Sequence, residues 1–245
     1  MIYAEILAGG SGKRFGNKDL PKQYSILGDK PLIIHTIEQF LLNPNIDKII
    51  VCTPKDWISY TNDLINKYII NNDKIEVTAG GSTRNESIMN GCKYILEKYG
   101  INDDDKIITH DAVRPFLTQR IIDDNIRALN KYDAVDTAIP ATDTIINTGD
   151  NEIIDGEDEW IISTIPNRST LFCGQTPQSF KIKPLMKLYE SLTKEEKDIL
   201  TDACKIFVIK DKKVKVVKGE TFNIKITTVF DLKLASAILM VRDND

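Results

Sequence analysis

Short runs rich in Ile and Val alternate along this chain with longer stretches in which apolar residues return every three or four positions. A brief continuous apolar run between turn residues reads as a strand buried on both faces. A period near 3.6 reads as a helix with one face against a core. On this basis Ile2–Ala8 is a strand, and Leu32–Leu42 is a helix that turns Ile33, Ile34, Ile37 and Phe40 inward. The pattern then repeats: strand Lys48–Thr53 and helix Trp57–Lys67, strand Lys74–Thr78 and helix Thr83–Lys98. It continues with strand Lys106–His110, helix Gln119–Asn130 and strand Ala134–Pro140. Such alternation predicts an α/β fold: a Rossmann-like, mostly parallel twisted sheet flanked by helices on both faces.

The rhythm breaks between Thr142 and Phe172. There, β-like runs at Thr144–Asn147 and Ile161–Thr164 flank an acidic turn, Asp150–Glu159. Two short strands cannot bury a core of their own, so this segment is expected to project as a β-arm and to be covered by a second copy of the chain. The regular pattern resumes with a helix at Lys183–Ser191, a strand at Lys213–Val217 and a last helix through Leu232–Met240, which Thr228 and Asp231 are spaced to cap. No repeat or Gly/Ser linker divides the 245 residues, so one domain is expected over residues 1–245, with 142–172 as its arm.

Charge narrows the function. With 32 Lys and Arg against 36 Asp and Glu the net charge is −4, which offers no positive blanket for nucleic acid or an anionic membrane. Any anionic ligand must be held locally. Four scattered cysteines and two histidines, with no Cys-x-x-Cys pair, argue against a zinc cage and for free thiols in a reducing cytoplasm. The start of the chain lacks a basic leader and carries Glu5, and no apolar run approaches the roughly 20 residues of a membrane span.

The most informative stretch follows the first strand: Leu7-Ala-Gly-Gly-Ser-Gly-Lys-Arg-Phe-Gly16, then Pro21-Lys-Gln-Tyr24. Glycines let backbone N–H groups approach phosphate oxygens, and Lys13, Arg14, Lys18 and Lys22 add positive charge. The spacing from Gly10 through Gly12 to Gly16 is one residue too long for the dinucleotide fingerprint, and no Gly-Lys-Ser/Thr follows for a Walker loop. The wrong spacing counts against a nicotinamide-dependent dehydrogenase. Retention of the charged residues counts against a catalytically dead nucleotide-binding regulator. Further along, Thr83 and Glu86 have capping-box spacing, and Asp111 ends the fourth strand at the edge where open α/β sheets place ligands. A carboxylate there suits Mg²⁺ held jointly with substrate phosphates. His110 reads as a strand-end residue with no chemical role.

Six motifs in this order resemble the cytidylyltransferases related to 2-C-methyl-D-erythritol 4-phosphate and ribitol-5-phosphate cytidylyltransferases. They are the opening glycine loop with Pro21–Tyr24, Gly80–Ser87, His110–Pro115, Asp143-Thr144, Gln175–Phe180 and Asn223–Thr227. The resemblance implies attack of a polyol phosphate on the α-phosphate of CTP, with Mg²⁺ as cofactor and a homodimer as the working form. It implies catalytic roles for Arg14, Lys22 and Lys225, and nucleotide contacts from Leu7, Ala8, Gly9, Gly10, Gly12, Gly81, Arg84, Ser87 and Asp111. Asp111 would also be the metal ligand. Arg114, Thr144 and Arg168 would reach the acceptor, Arg168 from the partner subunit. Phe222 stands where the methylerythritol members carry an acid, which leaves a second carboxylate on the metal without support. The opening Leu7-Ala-Gly-Gly, Ile165–Arg168, Gly174–Phe180, Asp202–Lys205 and Gly219–Asn223 look more like the ribitol-phosphate branch. The expected product is therefore CDP-ribitol, for teichoic acid or capsule synthesis in the cytoplasm, with methylerythritol 4-phosphate as the alternative acceptor.

Overall fold

The computed structural model describes residues 1–10, 20–70, 73–148, 152–154 and 157–242. The chain begins with β1 (Ile2–Leu7), the small hairpin β2 (Ile26–Leu27) and β3 (Lys30–Pro31), and α1 (Leu32–Leu41). It continues through β4 (Lys48–Thr53), α2 (Ile58–Tyr68), β5 (Ile75–Ala79), α3 (Arg84–Tyr99), β6 (Lys106–Asp111), α4 (Gln119–Ala128) and β7 (Ala134–Pro140). A short ribbon of β8 (Glu152–Ile154) and β9 (Glu157–Glu159) precedes β10 (Phe172–Lys181). The last elements are α5 (Ile182–Glu190), α6 (Lys194–Asp198), α7 (Cys204–Ile209), β11 (Val214–Lys218) and α8 (Val229–Arg242).

Seven strands form one sheet in the order β11-β7-β10-β6-β1-β4-β5. All neighbours pair in parallel except β10, which runs antiparallel to both β6 and β7. Alternate residues of a strand face opposite sides, and the buried residues sort accordingly. Ala4 and Ile6 of β1 join Ile49, Val51 and Ile108 against Ile33, Ile34 and Ile37 of α1, Ile65 of α2 and Ile121 of α4. Tyr3, Ile50, Cys52 and Ile107 face the other way, onto Ile88, Cys92 and Ile95 of α3, Leu185 of α5 and Phe207 of α7. A third cluster of Leu27, Leu32, Val113, Phe116, Ile226 and Ala235 ties the hairpin and α8 to the loop after β6. These helices therefore cover both faces of a mostly parallel sheet, as the alternation predicts.

Two local readings are revised. Phe172–Lys181 carries no strand pattern in the sequence, because Gly174 and Pro177 interrupt it and proline is rare in central strands. In the fold it is the third strand of the sheet, and its register shifts between Gly174 and Gln178, where the irregularity accommodates the proline. In the interrupting segment, Asn147 and Thr164 form a single antiparallel bridge, and the paired strands are β8 and β9, within the stretch read as an acidic turn. The approach to this ribbon leaves large apolar side chains in solvent, including Ile146, Trp160, Ile162 and Ile165.

Glu5 is fully buried in the middle of β1, on the α3 side. Its Oε1 accepts a hydrogen bond from the Cys52 thiol at 3.1 Å, and Gly91 of α3 lies so close that a Cβ there would collide with the carboxyl. Burial pushes its pKa up to about 8, against smaller opposing contributions from Cys52 and Arg84. The folded pKa thus lies above the unfolded value near 4.5. Between the two, the folded chain holds a proton that the unfolded chain has lost, so stability falls as pH rises through that window, by at most about 1.4 kcal/mol per pH unit. Glu5→Gln, neutral at every pH, removes the slope. From pH 5.5 to 7.5 its unfolding free energy in urea should drop by about 2 kcal/mol less than that of the unmutated chain. Equal drops would show that Glu5 is not protonated in the fold.

Candidate functional site

β1 leads in chain order to β4 and β5 on one side, and the chain then returns to β6 on the other. The reversal places a crevice at the carboxyl ends of β1 and β6, where Leu7 and Asp111 are register partners. A cavity of about 220 Å³ opens there. Its walls are Leu7, Ala8, Gly9 and Gly10 after β1, Lys22 and Gln23, residues Gly81–Arg84 and Ser87 at the start of α3, and Asp111, Val113 and Lys225.

The Pro-Lys-Gln-Tyr run is built to hold one lysine at this wall. It forms a short 3-10 turn over Lys22–Tyr24. Gln23 Nε2 donates to the Ala8 carbonyl at 2.6 Å, which ties the turn to the end of β1. The Tyr24 hydroxyl bonds Thr53 and Thr61, and its ring stacks on Trp57 with centroids 5.1 Å apart. Lys22 is thus carried just ahead of two anchored residues, with its Cε 3.7 Å from where a Cβ of Gly10 would stand.

Thr83 caps α3, accepting from the Glu86 N–H at 3.1 Å. The box is closed differently from the expected one, because the Glu86 carboxylate reaches one residue further back, to the Ser82 N–H at 2.8 Å. Ser87 folds over the same turn: its hydroxyl accepts from the Gly81 N–H and donates to the Thr83 carbonyl, both at 2.9 Å. A Cβ on Gly81 would sit 2.8 Å from the Glu86 carbonyl carbon, so only glycine fits this approach.

Three cations surround Asp111. Lys225 Nζ is 2.8 Å from Oδ2, Arg114 Nε is 3.8 Å from Oδ2, and Arg84 Nε is 3.5 Å from Oδ1. Burial alone would raise the pKa of this carboxyl, but the charges of Arg84, Lys225 and Arg114 outweigh it and hold Asp111 well below the usual carboxylate range. The carboxylate is therefore ionised at neutral pH.

Behind this cluster lies a supporting layer that sequence reading missed. His110 is buried, with Nε2 3.0 Å from the Arg114 carbonyl and Nδ1 3.0 Å from the Thr176 hydroxyl. A carbonyl only accepts, so Nε2 carries the proton and Nδ1 accepts from Thr176. Burial pushes the His110 pKa down to about 4, so this neutral tautomer holds at pH 7. The Thr176 oxygen in turn accepts from the Asp111 N–H at 3.2 Å. His110, expected to be idle, helps fix the Asp111 backbone. Asn223 performs a similar service for Lys225, two residues on. Its amide donates to the Thr176 carbonyl at 2.9 Å, and its own carbonyl accepts from Arg114 Nη1 at 2.7 Å.

Of the expected site residues, Leu7, Ala8, Gly9, Gly10, Lys22, Gly81, Arg84, Ser87, Asp111 and Lys225 meet around the one cavity. Gly12 and Arg14 lie outside the described residues. Arg114, expected at the acceptor, does not line the cavity: it is buried behind Asp111, held by that carboxylate and by Asn223. Thr144 and Arg168 are also away from the cavity wall. Both are exposed, in the stretches that flank the β8–β9 ribbon along the chain, with Arg168 Nη1 donating to the Thr142 carbonyl of its own chain at 2.6 Å. Among the described residues no group of three or more His, Cys, Asp or Glu side chains could hold a metal by itself. No described helix is long and apolar enough to cross a membrane.

Comparison with known proteins extends the picture to the whole chain. Residues 2–241 match the family model of 2-C-methyl-D-erythritol 4-phosphate cytidylyltransferase (IspD). A curated ribitol-5-phosphate cytidylyltransferase of Lactiplantibacillus plantarum is 51% identical over 242 residues, covering 99% of this chain and 100% of the relative. Among solved structures, the 4-diphosphocytidyl-2C-methyl-D-erythritol synthase of Anaerococcus prevotii superposes with a TM-score of 0.75 at 31% identity, covering 98% of this chain and 96% of that one. The 2-C-methyl-D-erythritol 4-phosphate cytidylyltransferase of Francisella tularensis gives 0.76 at 28% identity, covering 96% and 98%.

Proposed function

From the premise that the chain belongs to the 2-C-methyl-D-erythritol 4-phosphate cytidylyltransferase family and is a nucleotidyltransferase, we propose that it transfers the cytidylyl group of CTP to D-ribitol 5-phosphate. The products are CDP-ribitol and pyrophosphate. The observation that carries the reaction type is the convergence of Lys22, Arg84 and Lys225 with Gly9 and Gly10 on one cavity at the switch point of the sheet. The full-length likeness to a ribitol-5-phosphate cytidylyltransferase supports the choice of acceptor.

The second pKa of a phosphomonoester lies near 6, so at pH 7 the acceptor is already mostly a dianion and needs no general base. One of its oxygens attacks the α-phosphorus of CTP; that P–O bond forms as the bond to the bridging oxygen breaks and pyrophosphate departs. Catalysis then rests on in-line placement and on neutralising the charge that develops. Lys22 and Lys225 are the described cations for that task, and Arg14 is expected to join them. Asp111 keeps Lys225 and Arg84 at fixed positions while remaining an anion among cations.

The donor set fits Mg²⁺ held mainly by phosphates. Oδ2 of Asp111 is engaged by Lys225, whereas among the described residues Oδ1 has only the long 3.5 Å contact from Arg84, and Asp111 lines the cavity with a hard oxygen donor. Bound there, Mg²⁺ would supply neutralisation of the triphosphate charge. The decisive assay is pyrophosphate release from CTP with each polyol phosphate in turn. Release with ribitol 5-phosphate is expected; release with methylerythritol 4-phosphate alone would move the chain to the other acceptor, and no release with either would overturn the reading.

The working form we propose is a homodimer joined through residues 142–172, where exposed Ile146, Trp160, Ile162 and Ile165 need a covering surface. Arg168 would enter the partner's site to meet the acceptor phosphate, with Thr144 nearby. Co-expressed Arg168→Ala and Lys22→Ala chains should then recover activity in the mixed dimer, since one of its sites has both residues. A purified mixed dimer as inactive as the two parents would exclude action in trans. CDP-ribitol made in the cytoplasm would feed teichoic acid or capsule synthesis.

A further inference from the structure

Asp136 of β7 lies outside the cavity wall, yet it is linked to it through two side chains. Its register partner across the sheet is Gln178 of β10. Gln178 is buried, and its Nε2 donates to Asp136 Oδ1 at 3.2 Å while its Oε1 accepts from Arg84 Nη1 at 2.9 Å. An amide has one donating end and one accepting end, and which faces which way is set by its neighbours. Burial lifts the Asp136 pKa to about 6, with the Gln178 hydrogen bond working against it, so near pH 7.5 Asp136 is an ion that only accepts. It therefore claims the donating end of Gln178 and leaves the accepting end for Arg84. A reversed amide would set an NH₂ against the guanidinium, donor against donor.

Arg84 is thus clamped between two acceptors, Gln178 Oε1 and Asp111 Oδ1. Its remaining nitrogen, Nη2, is buried and has no partner among the described residues. A buried guanidinium donor without an acceptor is costly, and Arg84 lines the cavity. Nη2 itself has no surface on the cavity, so a ligand there meets the partly exposed remainder of the Arg84 side chain, whose position the clamp fixes.

We propose that Asp136 is a positioning residue of the nucleotide site, acting through Gln178 to hold the Arg84 side chain at the cavity wall where the nucleotide binds. This rests on the reading of the cavity as the CTP site. Neither sequence proximity nor direct contact links Asp136 to the ligand; the link is an orientation handed along a chain of hydrogen bonds.

Isothermal calorimetry of CTP binding with Mg²⁺ and no acceptor tests it on the full chain, with melting temperatures confirming that each variant is folded. Asp136→Ala should weaken CTP about tenfold, as should Gln178→Ala, because either frees Arg84 from its place at the cavity wall. The double variant should bind no more weakly than Gln178→Ala alone, since Asp136 acts only through that amide. Asp136→Asn, which keeps a carbonyl acceptor for Gln178, should stay within about threefold of the unmutated chain. Unweakened binding by Asp136→Ala, or losses that multiply in the double variant, would overturn the proposal while leaving the CTP site intact. Failure of the unmutated chain to bind CTP would overturn the functional reading itself, and the proposal with it.

Discussion

Asp111→Asn is expected to lower kcat by roughly 10³-fold and also to destabilise the fold, the larger combined effect of any single change at this site. The carboxylate is the shared counter-ion of Lys225, Arg84 and Arg114 at 2.8, 3.5 and 3.8 Å. An amide of the same shape leaves three cations facing one another. Removing one partner of a buried ion cluster costs about 3–5 kcal/mol when the rest stays dry. Lys225 is 42% exposed and partly screened by water, so about 2–3 kcal/mol is the reasonable expectation here. The pH dependence has a defined sign. A carboxyl with a lowered folded pKa contributes stability that is complete above its ordinary value and is lost as pH falls through the lowered one. The unmutated chain should therefore lose stability on acidification below about pH 4, and Asp111→Asn should lose less over the same range. Urea unfolding at several pH values and pyrophosphate release read both effects. Turnover near that of the unmutated chain would remove Asp111 from the reaction.

Lys22→Ala should cost mainly kcat, by roughly 10²-fold or more, as loss of a transition-state donor does. Its fold should survive, because the turn that bears it is held by Gln23 on the Ala8 carbonyl and by Tyr24 on Thr53 and Thr61. The KM for CTP should move far less than kcat, since charge on the departing pyrophosphate grows as the bond breaks. Steady-state kinetics with both substrates varied separates the two, and unchanged kcat would sink the assignment.

Much of this molecule is legible in its sequence because local physics and tertiary demand agree. Ile33, Ile34, Ile37 and Phe40 recur at helical spacing because that face meets the sheet. The glycines at 9, 10 and 81 stand where the backbone must come close to the cavity. What was hidden depends on partners far away in the chain. Gln178 meets Arg84 across 94 positions and Asp136 across 42, and no short-range pattern encodes either contact. Glu5, which in the sequence only argues against a leader, is a buried acid beside Cys52 in the fold. β10 is unreadable because Gly174 and Pro177 disguise a strand whose pairing is supplied by two neighbours.

That disguised strand has a mechanical consequence. β10 starts at Phe172, at the root of the exposed segment, and four residues later presents Thr176 to the Asp111 N–H. At about 3.3 Å per residue the two points lie within roughly 13 Å of each other along β10, whose pairing shifts between Gly174 and Gln178. A surface that fixed Phe172 in place would therefore act close to the Asp111 backbone. Covering the start of β10 should then show up as slower amide exchange at Asp111, and unchanged exchange would show that the irregular stretch absorbs the constraint.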